Sequence, residues 1–175
     1  KIDKGLIDLD FPLKKNIRNL AEFLNKDFSS ITVCILDRPR HKKIIDELKQ
    51  LKVKIKLITD ADVLGALYVS NPKYNVDMFL GIGGGPEGVL AAAALDTFDC
   101  HFQGRFIFDN DKNINEAKKM GVVDLNKKYE INEIIKGDSI FCATGITSSD
   151  ILNGIEIEDN MYKSETLVTH KNSNL

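Results

Sequence analysis

The sequence predicts an α/β domain in which strands are layered against helices, and three observations predict it. Short apolar runs of strand length, such as "ITVCILD" and "DMFLGIG", alternate along the chain with segments whose apolar residues recur every three or four positions. Turn-forming residues close most of those runs, as in "DRPRH", "TDAD", "GIGGGPEG" and "ATGIT". The 175 residues, 43% hydrophobic and 29% charged, suffice for one sizeable core and have an ordinary globular composition, so a single domain over 1–175 is expected.

In chain order, "PLKKNIRNLAEFLN" places Leu13, Ile17, Leu20 and Leu24 at helical spacing and opens the fold as an amphipathic helix. "ITVCILD" follows as a buried strand, "RHKKIIDELKQL" as a second helix and "VKIKLIT" as a strand of alternating character. "DADVLGALYV" starts with acids that suit a helix N-terminus. "DMFLGIG" is a strand, and a helix starts at Pro86, whose missing N–H costs nothing in the first turn. Further strands are predicted at "GRFIFD" and "SIFCATG", and short helices at "INEAKKMG" and "INEIIKG", stopped by Gly121 and Gly137. "DNDKNINEAKKM" and "EIEDNMYKSE" read as solvated surface.

Charge narrows the function classes. A net charge of -2 excludes a globally basic nucleic-acid binder, yet between Leu36 and Lys56 eight Lys or Arg face three Asp or Glu. That window is either a local anion site or the solvated face of a helix and strand edge. Cys34, Cys100 and Cys142 are far apart and signal neither zinc nor a disulfide framework. Cys34 and Cys142 lie in apolar runs, where a thiol acts as a small hydrophobe, and a reducing compartment is expected. No apolar run approaches the length of a membrane span and no signal peptide is visible, so a cytoplasmic protein is expected. A chain beginning at Lys1 reads as a fragment or processed product.

Four loops at strand ends carry chemistry, and ligands of open α/β sheets collect at such ends, so the four are expected to line one pocket. In "DRPRH", Arg38 and Arg40 flank the stiff Pro39 and can hold a phosphate by charge-assisted hydrogen bonds, with His41 assisting. Basic residues at a helix start oppose the helix dipole and need another reason to be there. In "TDAD", Asp60 and Asp62 can accept hydrogen bonds from hydroxyls or bind a metal, while one of them caps the helix. "GIGGGPEG" begins like a dinucleotide fingerprint but has Pro86 at its third glycine, and Glu87 would repel a phosphate seated on the same N–H groups. Glu87 is then either a carboxylate complementing the helix dipole or a ligand of a divalent cation lying between protein and anion. A polyhydroxylated ligand with a phosphate at one end and a metal at the other uses all of these features.

The ordered series "IDLDFPLKKNIRNLA", "DRPRHKKII", "TDADV", "GIGGGPEGVLAAAAL", "GRFIF", "AKKMG" and "IFCATGIT", followed by Asp150, Leu152 and Gly154, resembles class II fructose-1,6-bisphosphatases over nearly the whole chain. The resemblance implies the layered fold of the lithium-sensitive sugar phosphatases, of which this chain would be the C-terminal half. It implies hydrolysis of fructose 1,6-bisphosphate with Mn²⁺ or Mg²⁺, and sedoheptulose 1,7-bisphosphate as a second candidate substrate. By resemblance Glu87 is a metal ligand, Gly84 a backbone contact to substrate, Arg38, Pro39 and Arg40 a substrate loop, and Asp60, Ala61 and Asp62 a loop against the sugar. Arg38 stands where the family usually has Lys, and Gly85 where it has Ala. The family's N-terminal half, with its Gly-Glu-Gly-Glu and Asp-Pro-x-Glu-Gly-Thr segments, supplies most metal ligands and the catalytic threonine, and neither segment is present here. No catalytic residue is therefore expected in this span, which should be inactive alone. A homo-oligomer is expected, with no nucleic-acid or membrane partner. A sugar-phosphate-binding domain without catalysis is the alternative.

Overall fold

Residues 5–173 are described by a computed structural model of the chain. At its centre β1 (Thr32–Leu36), β2 (Lys54–Ile58) and β3 (Met78–Phe79) form a parallel sheet in the order β2-β1-β3. β1 is the central strand, and Val33, Cys34 and Ile35 are wholly buried, as the unbroken apolar run requires of a strand covered on both faces. β2 at the edge keeps Lys54 exposed.

Helices α1 (Leu13–Leu24) and α2 (Lys42–Gln50) cover one face, where Ile17, Leu20, Ile45 and Leu48 pack on Val33 and Ile35. Each such side chain fully removed from water contributes about 1.5–3 kcal/mol. Helix α3 (Asp62–Leu67), through the Tyr68 that follows it, covers the opposite face, over Cys34. This alternation follows from chirality. The step from β1 to β2 and the step from β2 back across β1 to β3 run in opposite directions, so right-handed crossovers put α2 and α3 on opposite faces. Gly65 lets α3 lie close, since a Cβ there would collide with Ile58 and stand 3.1 Å from the Phe79 ring. Helix α4 (Gly85–Asp96) packs its buried Ala91, Ala94 and Leu95 against Ala66 and Leu67 of α3.

In α1 the buried stripe is Asn16, Ile17, Leu20 and Ala21 rather than one ending at Leu24, which is exposed. Asn16 is buried because both ends of its amide bond the backbone of Asp8, at 3.0 and 2.8 Å. The helix stops at Asn25, which adopts the left-handed conformation.

The second half departs from a continued βα alternation. "GRFIFD" yields only β4 (Gln103–Arg105), which is followed by α5 (Asp111–Lys119) and pairs antiparallel with β5 (Lys128–Glu130), outside the main sheet. "INEIIKG" shrinks to α6 (Ile131–Ile134), with a reciprocal cap between Glu130 and Glu133. β6 (Ile140–Thr144) matches "SIFCATG" but pairs antiparallel with β9 (Thr166–His170). The polar "EIEDNMYKSE" forms an exposed hairpin of β7 (Glu156–Glu158) and β8 (Met161–Lys163). Cys142 is exposed on β6, so of these two cysteines Cys34 alone fills the hydrophobe's role, with burial pushing its thiol up to about 11. No helix among the described residues is long and apolar enough to cross a membrane.

Candidate functional site

The loop after β1 leads to α2 on one face of the sheet, and the loop after the neighbouring β3 leads to α4 on the other. Between them lies the point where the winding reverses, the place where open α/β sheets leave a crevice. Leu80 continues the β3 ladder with its N–H on the Cys34 carbonyl at 3.0 Å, so the glycine turn starts level with the end of β1.

Three of the four chemically equipped loops meet on that turn. From the first, Arg40 Nε donates to the Ile82 carbonyl at 2.5 Å. Arg38 is half-buried and Pro39 opens a 3₁₀ turn ending at His41. From the second, Asp62 lies so close that a Cβ on Gly83 would stand 3.4 Å from its Oδ2. From the turn itself, Glu87, in the first turn of α4, folds back until its Oε2 occupies the place a Cβ on Gly84 would take. The helix starts at Gly85, one residue before Pro86, with Gly84 as its extended N-cap. No side chain among the described residues pairs with the Glu87 carboxylate.

Ala61 holds the paired-Asp loop in a left-handed conformation, φ 61° and ψ 56°, a strained choice for a residue with a Cβ. Asp60 accepts the Ala61 N–H at 2.8 Å and Asp62 accepts the Val63 N–H at 2.9 Å. Each carboxylate keeps its second oxygen for another partner. Asp60 is exposed and Asp62 half-buried.

Three expectations are corrected. Neither Asp60 nor Asp62 caps α3 with its side chain, because the N-cap position is taken by Ala61 and each carboxylate bonds the N–H of the residue that follows it. His41 does not assist in holding an anion: it is wholly buried, with Nδ1 2.8 Å from the Leu36 carbonyl and Nε2 2.8 Å from the Ile82 nitrogen. A ring spent on backbone groups has no free nitrogen for a ligand. The "ATGIT" loop after β6 does not join the other three. Gly145 and Gly154 fold it tightly on itself, and Asp150 fastens it to Lys56 at 2.6 Å beside Tyr68. Burial and the neighbouring Asp150 carboxylate push the Tyr68 hydroxyl up to about 12, while the Lys56 ammonium holds Asp150 below the usual carboxylate range.

The glycine turn also borders a groove of about 1120 Å³, lined by Asp62, Glu87, Phe79, Phe106 and Ile107 among others. Arg38, Arg40 and Asp60 do not line it. Ile82, held by Arg40 and His41 of the cationic loop, gave no signal in the sequence because it acts through its backbone.

The sequence matches, over residues 1–175, the model of the family described as "Bacterial fructose-1,6-bisphosphatase, glpX-encoded". The chain belongs to this family. Among curated class II fructose-1,6-bisphosphatases, it is 38% identical over 179 residues to "Fructose-1,6-bisphosphatase 1 class 2" of Escherichia coli strain K12, covering 94% of this chain and 53% of that protein. It is 36% identical to "Fructose-1,6-bisphosphatase class 2" of Haemophilus influenzae, over 94% of this chain and 54% of the relative. A Synechococcus relative named "D-fructose 1,6-bisphosphatase class 2/sedoheptulose 1,7-bisphosphatase" is 35% identical over 97% of this chain and 53% of its own length. The chain thus spans about half the length of the curated class II relatives it matches.

Proposed function

We propose that this chain is the substrate-side, C-terminal half of a phosphatase that hydrolyses fructose 1,6-bisphosphate to fructose 6-phosphate and phosphate, in the cytoplasm and as a homo-oligomer. The observation that carries the proposal is the convergence of a cationic loop, a paired-carboxylate loop and a glutamate-bearing turn on residues 81–84, in a family named for that reaction. Arg38 and Arg40 hold the phosphate that is not cleaved, with Pro39 stiffening their loop. Asp60 and Asp62, presented by the strained Ala61, accept sugar hydroxyls, and Gly84 offers its N–H to the substrate. Glu87 marks the reacting end.

Family membership implies a divalent cation, and we infer Mn²⁺ or Mg²⁺ from the oxygen-rich donors. Glu87 fits as one ligand: its carboxylate is turned into the glycine cradle and pairs with no cation among the described residues. It cannot be the whole site, because the described residues contain no group of three metal-ligating side chains. When bound, such a cation polarises a phosphate and lowers the pKa of water. That shortage of ligands favours a second reading for the span in isolation, a sugar-phosphate-binding domain. The Synechococcus relatives' names make sedoheptulose 1,7-bisphosphate the alternative substrate, and gluconeogenesis or glycerol use the natural setting.

The test is phosphate release by the full-length protein from both sugar bisphosphates, with Mn²⁺ and after chelation. Metal-dependent release from fructose 1,6-bisphosphate is expected. Release from neither sugar would end this reading.

A further inference from the structure

His41 is wholly buried at the point where the sheet's winding reverses, and the chemistry proposed above makes no use of it. A carbonyl only accepts hydrogen bonds, so the Leu36 oxygen 2.8 Å away places the ring proton on Nδ1. With that tautomer Nε2 accepts the Ile82 N–H at 2.8 Å, and it lies 3.0 Å from the Ile82 carbonyl as well. The Ile82 carbonyl is taken by Arg40 Nε. Both polar backbone groups of a single residue in the glycine turn are therefore held by consecutive side chains of the cationic loop.

We propose that His41 is a positioning residue that couples the two ends of the site: through Ile82 it fixes the Arg38–Arg40 loop against the turn carrying Gly84 and Glu87. The spacing between the held phosphate and the reacting phosphate is then set by one imidazole. An anion seated on the arginines draws Arg40, Arg40 draws Ile82, and the turn follows. A ring of this kind does more than fill core: an apolar side chain of equal volume would leave the Ile82 N–H without its partner, while the Leu36 carbonyl would keep only the Arg38 N–H at 3.0 Å.

The inference rests on the proposed sugar-bisphosphatase function, and the experiment separates the two. Asparagine reaches the position of Nδ1 and can keep the Leu36 bond, whereas glutamine reaches the position of Nε2 and can keep the Ile82 bond. In the full-length protein, His41→Asn should raise both the KM for fructose 1,6-bisphosphate and the Mn²⁺ concentration for half-maximal activity by about tenfold, the net size of one lost hydrogen bond. His41→Gln should hold both within about threefold. These two constants do not depend on how much enzyme is folded, so a merely structural role would leave them unmoved while lowering the amount of active protein. Equal changes in the two variants, or unchanged constants in both, would overturn the coupling and leave the phosphatase reading standing. Should the wild type prove inactive, the phosphatase reading fails and inorganic phosphate becomes the probe. Its titration should shift the amide resonances of Ile82, Gly83 and Gly84 in wild type and His41→Gln but not in His41→Asn, and a pattern insensitive to the variant would sink the proposal.

Discussion

At the scale of single residues, the glycine turn makes the clearest demand. Glu87 fills the space beside Gly84 that any other residue would need for its own Cβ. Removing the charge and removing the space should therefore damage the same step by different routes. In the full-length protein, Glu87→Gln should lower kcat by about a hundredfold if Glu87 holds the proposed cation, on which several kcal/mol of charge stabilisation at the reacting phosphate would depend. Unfolding should be unchanged. Wild-type turnover and wild-type metal dependence in that variant would reduce Glu87 to a complement of the helix dipole. Gly84→Ala keeps every charge, and Gly84 has φ -70°, which alanine adopts freely. It should nevertheless raise the metal concentration needed for activity about tenfold by evicting the carboxylate from its cradle. A metal titration by activity checks it, and an unaltered curve would show that the crowding is relieved without consequence.

Elements behave according to what holds them. The segment before α1 is tied to β4 and β5 by charge: Lys128 reaches Asp8 at 2.5 Å and Asp10 at 2.7 Å, and Arg105 reaches Asp10 at 2.6 Å. The Lys128 ammonium, aided by the Asp10 N–H, holds the Asp8 carboxyl below its ordinary 3.8. A carboxyl depressed in the folded state contributes its stability above the unfolded value and loses it as pH falls through the folded one. The tie should thus be complete above about pH 3.8 and weaken progressively below it. Hydrogen exchange at the Leu9 N–H, which donates to Gln103, reads this directly. Lys128→Met should flatten that pH dependence, and a slope preserved in the variant would assign it elsewhere. The same elements show where sequence reading works. α1 and α2 were legible because burying one face imprints a period on the apolar residues, β1 because burial on both faces leaves an unbroken apolar run, and α3 and α4 from the acids and the proline at their starts. β5, β7 and β8 left no imprint: Lys128–Glu130, Glu156–Glu158 and Met161–Lys163 are polar or exposed and are held by pairing with a partner strand. Of the charges that the sequence offered at strand ends, Arg40, Asp62 and Glu87 are brought against the glycine turn by the fold, while the roles given to Arg38 and Asp60 are proposals. His41 was misread because a histidine beside two arginines looks like a third cation until its burial is known.

For the molecule as a whole, the groove beside the glycine turn is bordered by apolar side chains left in water. Val89 on α4, half exposed, lines it together with Phe106 and Ile107, and Leu90, the next residue of the helix, is about half exposed as well. A surface of this kind invites association. The 175-residue span alone should release no phosphate from fructose 1,6-bisphosphate and should self-associate in sedimentation experiments, with Leu90→Glu shifting it toward monomer. Metal-dependent turnover by the span at the rate of an intact relative would refute both the partial metal site and the half-molecule reading. The strand order has a consequence of another kind, in time. Thr32 pairs with Lys54, but Val33 pairs with Met78, closing a loop about twice as long. Each doubling adds only about 0.6 kcal/mol of closure entropy, yet β3 offers just two paired residues to repay it. The nucleus of folding should then be the β1-α2-β2 unit, with β3 docking afterwards. Mutations such as Val53→Ala should slow folding, and mutations such as Val76→Ala should chiefly speed unfolding. The crevice between β1 and β3 would come into being only with that last docking, so binding of a sugar phosphate during refolding should lag behind the appearance of the central helices.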